Sequence, residues 1–359
     1  MGNVRTFTSS VLDGYDRGVE FGRRHREEVR RTVAAYHRLF LTRAVGDFDV
    51  RAWSDRARET IDRVAPEAAE EIRGIAHGAD VEVHEIAAVN ARTELLAVAN
   101  PTGVVSECST VVALPPGRPP VAVQTWDWYA AMAGNWLHWR IPRPDGRVVE
   151  TVTEYGVLGK IGVNSDGVGV LFNMLHHAND EGAAEDGIGY PVHLLSRRIL
   201  DTARDLDQAL GTAGSVRTSA STSLTLVEGR EDGGRTVSVE LFPGGPGELD
   251  AEDGLLVRTN HFVSGKGRPG CLAAGIGPGT EIRRATLLEA FADRLPEDPG
   301  TVVAAMRDHR EVGGVCAHPD RSMDPVLWHA TLATVAVDTR AGRLEVRAGG
   351  PCLRPSWRT

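Results

Sequence analysis

The feature that most constrains the fold is a change of pattern near residue 104. Before it, residues 12–100 place apolar side chains every three to four positions, as at Val29, Val33 and Tyr36, which predicts amphipathic helices. After it, short apolar runs separated by turn residues, such as 164–167, predict strands joined as hairpins. Helices followed by hairpins, with further helices inserted, indicate an α+β fold rather than alternating βαβ units.

Periodicity and turn residues together give approximate bounds. After the first amphipathic stretch, helices are expected at residues 55–64, 68–79, 85–99, 190–208, 280–292 and 301–307. Strands are expected at residues 104–114, 120–126, 135–142, 147–155, 161–173, 222–227, 236–242, 254–260, 328–337 and 343–348, with a hairpin inside 161–173. The Asn100-Pro101-Thr102-Gly103 run ends the early helices, so residues 100–107 are the expected junction.

Composition excludes several classes of protein. A chain of 359 residues can bury a sizeable core without metal or disulfide staples. Its 40 basic and 49 acidic residues give a net charge of −9, which argues against a nucleic-acid binder. No run of apolar residues is long enough for a transmembrane helix. The four cysteines, at 108, 271, 316 and 352, form no CxxC pair, and a reducing cytoplasm is the expected compartment.

Cys108 is the first candidate for chemistry, because it stands where the helical part gives way to a strand. The ordinary interpretation of such a residue is a small buried apolar side chain. No histidine lies nearby in sequence to act as its base. If the peptide bond before Cys108 were cut, however, the new α-amine, with a pKa of roughly 7.7 to 8.0, could serve as the general base.

Three further residues stand at the ends of apolar strands. Asp127 lies between two tryptophans and is either a turn residue or a carboxylate that holds an ammonium group. Asn173 and Asn260 are either turn residues or amide donors to an oxyanion.

Two other patterns are weaker. His309, Cys316 and His318 suggest a metal, but without HExxH or paired CxxC no metal is expected. The glycine-rich run at 274–280 looks like a nucleotide loop, yet Pro278 removes an N–H that would face a phosphate, so a nucleotide-dependent enzyme is the weakest alternative. The absence of GxSxG counts against an α/β-hydrolase.

Taken in order, several short motifs form one set. They lie at residues 14–22, 90–94, 108–110, 126–127, 258–262, 280–283, 307–309, 316–318 and 350–352. The set resembles the acyl-coenzyme A:6-aminopenicillanate acyltransferase-like proteins, the peptidase C45 group of N-terminal-nucleophile (Ntn) hydrolases, nearly from end to end. The resemblance implies a four-layer αββα sandwich with a helical N-terminal pro-segment.

The resemblance also implies a mechanism. An inactive zymogen would cut itself between Glu107 and Cys108 into a pro-segment, 1–107, and a catalytic part, 108–359, which stay associated. The Cys108 thiol would then take an acyl group from an amide or thioester. The other roles implied are orientation of the amine for Asp127, an oxyanion hole for Asn173 and Asn260, and electrostatic support for Arg283. The aromatic residues Trp126, Trp128 and Tyr129 are either core or an apolar acyl pocket.

Two features leave alternatives open. Glu107 stands where glycine would ease the strained backbone of an acyl shift, so an uncleaved, non-catalytic relative that binds a small acylated ligand is the second hypothesis. Arg284 adjoins Arg283, and either could be the site arginine. The expected partners are a small-molecule acyl donor, an amine acceptor in the case of transfer, the chain's own cleaved half and, as an open alternative, a second copy. No cofactor, nucleic acid or membrane is expected.

Overall fold

A computed structural model describes residues 4–100, 108–182, 187–230, 233–273 and 279–353. For residues 181 and 182 only the backbone is described. Glu107, half of the predicted cleavage site, and most of the glycine-rich run lie outside the described residues, as does most of the predicted junction.

Helices dominate the part before residue 100, as predicted. They are α1 (Gly14–Arg24), α2 (Arg26–Arg43), α3 (Val50–Val64), α4 (Pro66–Ala79), α5 (Val83–Asn90) and α6 (Arg92–Ala99). Side-chain caps fix two of their starts, because Asp13 accepts a hydrogen bond from the backbone N–H of Asp16, and Asp49 does the same for Ala52. A short strand, β1 (Thr6–Thr8), precedes them and was missed because three residues show no measurable periodicity.

The strands that follow form two sheets. Their bounds are β2 (Ser109–Ala113), β3 (Val121–Tyr129), β4 (Trp136–Pro142), β5 (Val148–Glu154), β6 (Ile161–Asn164), β7 (Val168–Met174), β8 (Thr222–Arg230), β9 (Gly233–Leu241), β10 (Gly247–Asp250), β11 (Leu255–Arg258), β12 (His329–Asp338) and β13 (Arg343–Ala348). One sheet has the order β1-β4-β5-β6-β7-β8-β9-β10 and the other β11-β2-β3-β12-β13. The pairing is antiparallel except between β1 and β4.

Helices inserted between strands cover the outer faces. They are α7 (Val192–Thr202), α8 (Leu206–Gly214), α9 (Gly279–Ala290) and α10 (Pro299–Ala305). Helix α7 packs on β6 and β7, and α8 packs on β8 and β9. Helices α9 and α10 cover the five-stranded sheet through Leu287 and Val302. The inner faces of the two sheets meet where β2 contacts β7 and β12 contacts β6. These layers confirm the predicted αββα sandwich.

Period-two alternation explains how the five-stranded sheet can be buried on both faces. In β2, Val111 and Ala113 pack against the cluster of α9 and α10, whereas Val112 packs into the core between the sheets. Strand β3 alternates in the same way. Strand β2, which directly follows the candidate nucleophile Cys108, therefore lies in the middle of the molecule.

Two predicted helices are each split in the structure. The stretch 85–99 breaks between α5 and α6, where the buried Asn90 amide donates to the carbonyl of Gly156 rather than facing solvent. The stretch 190–208 breaks after Thr202, because Ala203 is extended and the Asp205 carboxylate caps α8 through the N–H of Gln208. Tertiary and capping contacts override apolar periodicity at both points.

The segment before residue 100 shares the main core. Strand β1 extends the eight-stranded sheet, and Phe21, Tyr36 and Leu96 join the same apolar cluster as the sheet residues. The predicted division at residue 107 stays a prediction. Within the described residues, no helix combines the length and apolarity needed to cross a membrane.

The closest helix contact, between α1 and α4, requires glycine on both sides. A Cβ at Gly74 would lie 2.0 Å from the carbonyl oxygen of Tyr15, and one at Gly18 would lie 2.2 Å from that of Glu71. Both clashes are with backbone, which cannot rotate away. This explains Gly18, and also Gly22, whose Cβ would lie 2.4 Å from the carbonyl oxygen of Ile75, whereas a Cβ at Gly14 would make only ordinary contacts at 3.8 Å.

We expect Gly74→Ala to lower the free energy of unfolding by about 2–3 kcal/mol, because the helices must separate to admit the methyl group. Gly211→Ala is the matched control, since it lies in α8 with nothing within 4 Å of its Cβ position. That variant should be neutral or more stable by about 0.5–1 kcal/mol. Urea unfolding followed by circular dichroism measures both, and equal midpoints would contradict this account of the contact.

Candidate active site

Cys108 directly precedes β2 and is 3% exposed. The alternation of the strand sends its neighbours in opposite directions. The Thr110 hydroxyl donates to Asn173 Oδ1 on β7 at 2.8 Å, and the Ser109 hydroxyl faces α9, where it accepts from Arg283 Nη1 at 2.8 Å. Cys108 is thus flanked by groups from both sheets and from one covering helix.

The backbone of Cys108 is fixed by two buried donors. Its carbonyl oxygen accepts from Arg283 Nη1 at 2.9 Å and from Asn173 Nδ2 at 3.2 Å. Its Sγ lies 3.6 Å from the backbone oxygen of Asp127 on β3. Three of the predicted site residues are therefore within contact distance of the candidate nucleophile.

The structure distinguishes the two adjacent arginines. Arg283 lies in the first turns of α9, is 2% exposed, and adds a bond from Nη2 to Asn260 Oδ1 at 3.0 Å. Arg284 is directed elsewhere, with Nε donating to the carbonyl of Val257 at 3.3 Å. Arg283 thus connects Cys108 to Asn260, and Arg284 does not.

Asn260 reaches this cluster from the end of β11. Its Nδ2 donates to the carbonyl of Met174 at 2.9 Å, and its backbone N–H donates to the Thr280 hydroxyl at 2.7 Å. Thr280 is the second residue of the helix that carries Arg283, so its hydroxyl ties Asn260 to the start of α9.

Asp127 is fully buried in β3. Its register partner is Thr331 of β12, next to an irregularity in the pairing of the two strands. A carboxylate placed there is removed from bulk water, which strengthens its interaction with any cation beside it.

The three predicted aromatic pocket residues are packed in the core of the continuous chain. Trp126 and Tyr129 are each 1% exposed and Trp128 is 2% exposed. Trp128 Nε1 donates to the Tyr36 hydroxyl at 2.9 Å, and the Tyr129 ring lies 4.2 Å from that of His329. Their role in binding an acyl group stays a prediction.

Lys160 is a site neighbour to which the sequence analysis gave no role. Its Nζ lies 3.6 Å from the centroid of the Trp126 ring and 3.6 Å from Glu154 Oε2. Its pKa is lowered to about 7, chiefly by burial and also by the nearby Arg92, against the opposing effects of Glu154 and Cys108. Its rarity was a usable signal, because it is one of two lysines among 40 basic residues.

Glu154 is the common partner of a buried charge cluster beneath the site. Arg92 Nη2 donates to its Oε2 at 2.8 Å, and the Tyr36 hydroxyl donates to its Oε1. Arg92 and Tyr36 come from helices before residue 100, whereas Glu154 and Lys160 follow Cys108 in the chain. Breaking such a pair by removing one partner typically costs about 3–5 kcal/mol, so the cluster strongly joins the two parts.

The motif at 90–94 docks onto the later part of the chain by other polar contacts. Asn90 Oδ1 accepts from the N–H of Leu158 at 2.9 Å, and Glu94 Oε1 accepts from the N–H of Val192 at 2.8 Å. Thr93 Oγ1 lies 3.2 Å from His193 Nε2. These residues are all buried, so the motif acts as a joint between the helical part and the sheet.

Comparison with known proteins identifies the family of this chain. The family model for acyl-coenzyme A:6-aminopenicillanic acid acyl-transferase matches residues 118–352, and the chain belongs to that family. The predicted family is therefore confirmed. The 40 kDa form of the acyl-coenzyme A:6-aminopenicillanic-acid-acyltransferase of Emericella nidulans is 37% identical over 136 residues. The match covers 37% of this chain and about a third (35%) of that relative.

Two solved structures give a more distant likeness. Penicillin V acylase from Agrobacterium tumefaciens aligns at a TM-score of 0.42 and 13% identity, over 67% of this chain and 82% of that one. A mutant of conjugated bile acid hydrolase from Clostridium perfringens aligns at 0.39 and 11%, over 67% and 89%. The family assignment depends on the sequence match.

Burial of Glu94 predicts a pH dependence of stability. Burial raises the pKa of this carboxyl to about 7, against the opposing hydrogen bond from Val192. The folded chain then holds a proton that the unfolded chain has released, so the free energy of unfolding falls as the pH rises from about 4.5 to about 7. Glu94→Gln removes this dependence and keeps an acceptor for Val192.

Between pH about 4.5 and about 8, the stability difference should therefore move in favour of Glu94→Gln by on the order of 3 kcal/mol. Urea unfolding at both pH values measures it. Glu289→Gln, at an exposed position of α9, is the control. The difference between its free energy of unfolding and that of wild type should be the same at both pH values. Parallel pH profiles for wild type and Glu94→Gln would contradict the prediction.

Proposed function

We propose that the chain is a self-processing cysteine enzyme of the Ntn type, which cleaves or transfers an acyl group from an amide or thioester through a Cys108 thioester. The observation that supports this most is the fixed carbonyl of Cys108, which accepts hydrogen bonds from Arg283 and Asn173 in a chain of this family. These bonds fix the backbone of the residue whose thiol would attack, and both donors are among the residues that the family resemblance implies for catalysis.

In the self-cleavage step, the Cys108 thiol attacks the carbonyl carbon of Glu107. The C–N bond of that peptide breaks, the nitrogen takes the thiol proton, and a thioester forms with Cys108 as a free α-amine. Water then hydrolyses the thioester, which releases the Glu107 carboxylate and restores the thiol. The two products are residues 1–107 and 108–359.

In turnover, the α-amine of Cys108 takes the thiol proton while Sγ attacks the acyl carbonyl of the substrate. The amine or thiol leaving group receives that proton as its bond to the acyl carbon breaks. Water or an acceptor amine then attacks the thioester, giving hydrolysis or transfer, and the thiol is restored. The buried Asp127 carboxylate orients the ammonium form of the α-amine.

The two asparagines have different roles in this proposal. Asn173 holds the Cys108 carbonyl, so in this geometry it positions the nucleophile. Asn260 has its carbonyl oxygen held by Arg283 and donates from Nδ2 to the carbonyl of Met174, and these two bonds fix the amide that would serve as the oxyanion donor. A preorganised donor of this kind lowers the barrier by about 2.7–4 kcal/mol.

The joint around residues 90–94 would keep the two products together. The Arg92–Glu154 pair and the Glu94–Val192 bond cross from the pro-segment to the catalytic part, and both are buried. Cleavage of one peptide bond leaves these contacts in place. The expected active species is therefore a non-covalent pair of chains, formed in a cytoplasm that keeps the thiol reduced.

The relative from Emericella nidulans supplies the first substrates to test, an acyl-coenzyme A thioester and 6-aminopenicillanic acid. The acceptor amine distinguishes the two reactions. Acyl transfer requires the acylated amine as a product, whereas hydrolysis releases the free acid with or without the acceptor. No cofactor enters either scheme.

The variant Cys108→Ala tests the role of the thiol. The purified wild type should give two masses, for fragments of 107 and 252 residues, whereas the variant should remain one chain and be inactive, because the attacking sulfur is gone. Intact-mass spectrometry measures this. Cys271→Ser is the control, since Cys271 lies on a separate apolar cluster with Phe262, and it should be cleaved and active.

Two results would decide against the proposal. Cleavage of Cys108→Ala at the same bond would exclude the thiol as the attacking group. A wild type that stays whole, hydrolyses no thioester and leaves Cys108 unlabelled by iodoacetamide would favour the binding relative instead.

A comparison of Arg283→Gln with Arg284→Gln tests the role of the site arginine. Loss of the Arg283 bonds frees the Cys108 carbonyl and the Asn260 amide, so kcat/KM for thioester cleavage should fall by at least about 10²-fold. Arg284→Gln removes a charge one position away, and its kcat/KM should stay within a few-fold of the wild-type value. Equal losses in the two variants would show that charge, rather than the bonds to Cys108 and Asn260, matters.

A further inference from the structure

The side chains of His309, Cys316, His318 and Cys352 gather at one point. Their ligand atoms all lie within 4.8 Å of one another. Cys316 Sγ is 3.6 Å from both Cys352 Sγ and His318 Nε2, and Cys352 Sγ is 3.5 Å from His318 Nε2. The sequence analysis considered three of these residues without Cys352 and expected no metal.

The three distances among Cys316, Cys352 and His318 match those of a tetrahedral zinc site, and His309 lies within 4.8 Å of all three as the fourth ligand. With Zn–S bonds of about 2.3 Å and Zn–N bonds of about 2.0–2.1 Å, a tetrahedron places its sulfurs about 3.8 Å apart and each sulfur about 3.5 Å from each nitrogen. Two thiolates and two imidazoles are a common donor set for structural zinc, and the thiolates balance its charge. We propose that His309, Cys316, His318 and Cys352 bind one structural zinc ion.

Backbone contacts hold the four residues together independently of a metal. The N–H of Cys316 donates to the carbonyl of Asp308 at 3.0 Å, beside His309. Arg307 Nε donates to the carbonyl of Pro351 at 3.1 Å, beside Cys352. The ligand pairs are therefore fixed to one another through their chain neighbours, which limits the entropy lost when a metal binds.

A close approach of the backbone also supports the site. A Cβ at Gly350 would lie 2.6 Å from Cys316 Sγ, so only glycine lets the segment after β13 pass this close to the sulfur. His309 and His318 are exposed and Cys316 is buried. A metal can therefore enter from the solvent side while the thiol is shielded on the other.

The site has four protein ligands and no place for a water ligand, which is the arrangement of a structural site. The bound ion would hold residues 308–318 and the chain after β13 against the start of β12. Ala317, between two ligands, exchanges two hydrogen bonds with Thr331, at 3.0 and 3.1 Å. Thr331 is the register partner of Asp127. The ion would thus stabilise the strand beside the candidate active site.

The test is the metal content of the full chain, purified with zinc under reducing conditions and dialysed against metal-free buffer. Mass spectrometry of the metal should find about one zinc per chain in wild type. Cys352→Ser and His309→Ala should lose most of it, because each removes one ligand. Cys271→Ser, which removes a thiol elsewhere, should retain it. Cobalt in place of zinc should give wild type the strong visible absorption of a tetrahedral thiolate site.

Several results would overturn the proposal. They are a wild type that takes up no zinc, equal zinc in the ligand variants and wild type, or a Cys316–Cys352 disulfide found by peptide mapping in the chain purified with zinc under reducing conditions. If the variants do not fold, titration of wild type with a mercurial reagent is the substitute experiment. The reagent should release the zinc to a chromogenic chelator and lower the melting temperature of the protein. Bound zinc that the reagent does not release would equally refute the assignment.

Discussion

The guanidinium of Arg283 is the contact on which the candidate site depends. It reaches from α9, on the outer face of the five-stranded sheet, to the carbonyl of Cys108, and it also holds the amide of Asn260. A buried arginine must satisfy its donors, and here the acceptors are backbone and side-chain oxygens of the residues proposed for catalysis. The position of α9 on the sheet therefore sets the geometry of the site, and the Thr280 bond to Asn260 sets the position of α9.

A second constraint is the joint between the helices before residue 100 and the strands after residue 108. Arg92, Glu154 and Lys160 place charged groups in a region with almost no solvent, where each depends on the others for compensation. Little water reaches that region, and this burial, together with the nearby Arg92, lowers the pKa of Lys160 to about 7. Such a joint suits a protein whose two parts are to remain together after the chain between them is cut.

Much of this could be predicted from the sequence. The α+β class follows from the change of periodicity near residue 104, and most strands lie within two residues of their predicted bounds. The motifs at 258–262 and 280–283 predicted Asn260 and Arg283, and the structure places Arg283 at the carbonyl of Cys108 and Asn260 on Arg283. By contrast, Lys160 received no role because it belongs to no local motif. Cys352 lies in the motif at 350–352 but was not grouped with the other metal candidates, because it is 34 residues away from His318 in the chain. Cys316 and Cys352 are brought together by the β12–β13 hairpin between them.

The sequence by itself determined what depends on near neighbours in the chain: the periodicity of helices and strands, the caps at Asp13 and Asp49, and the spacing of motifs. Only the tertiary structure decided which of the two adjacent arginines meets Cys108, that the aromatic residues after it are buried, and that two histidines and two cysteines converge. The reason is physical. Side-chain direction within a helix or strand is a local property, whereas the partner met in that direction depends on how distant segments pack.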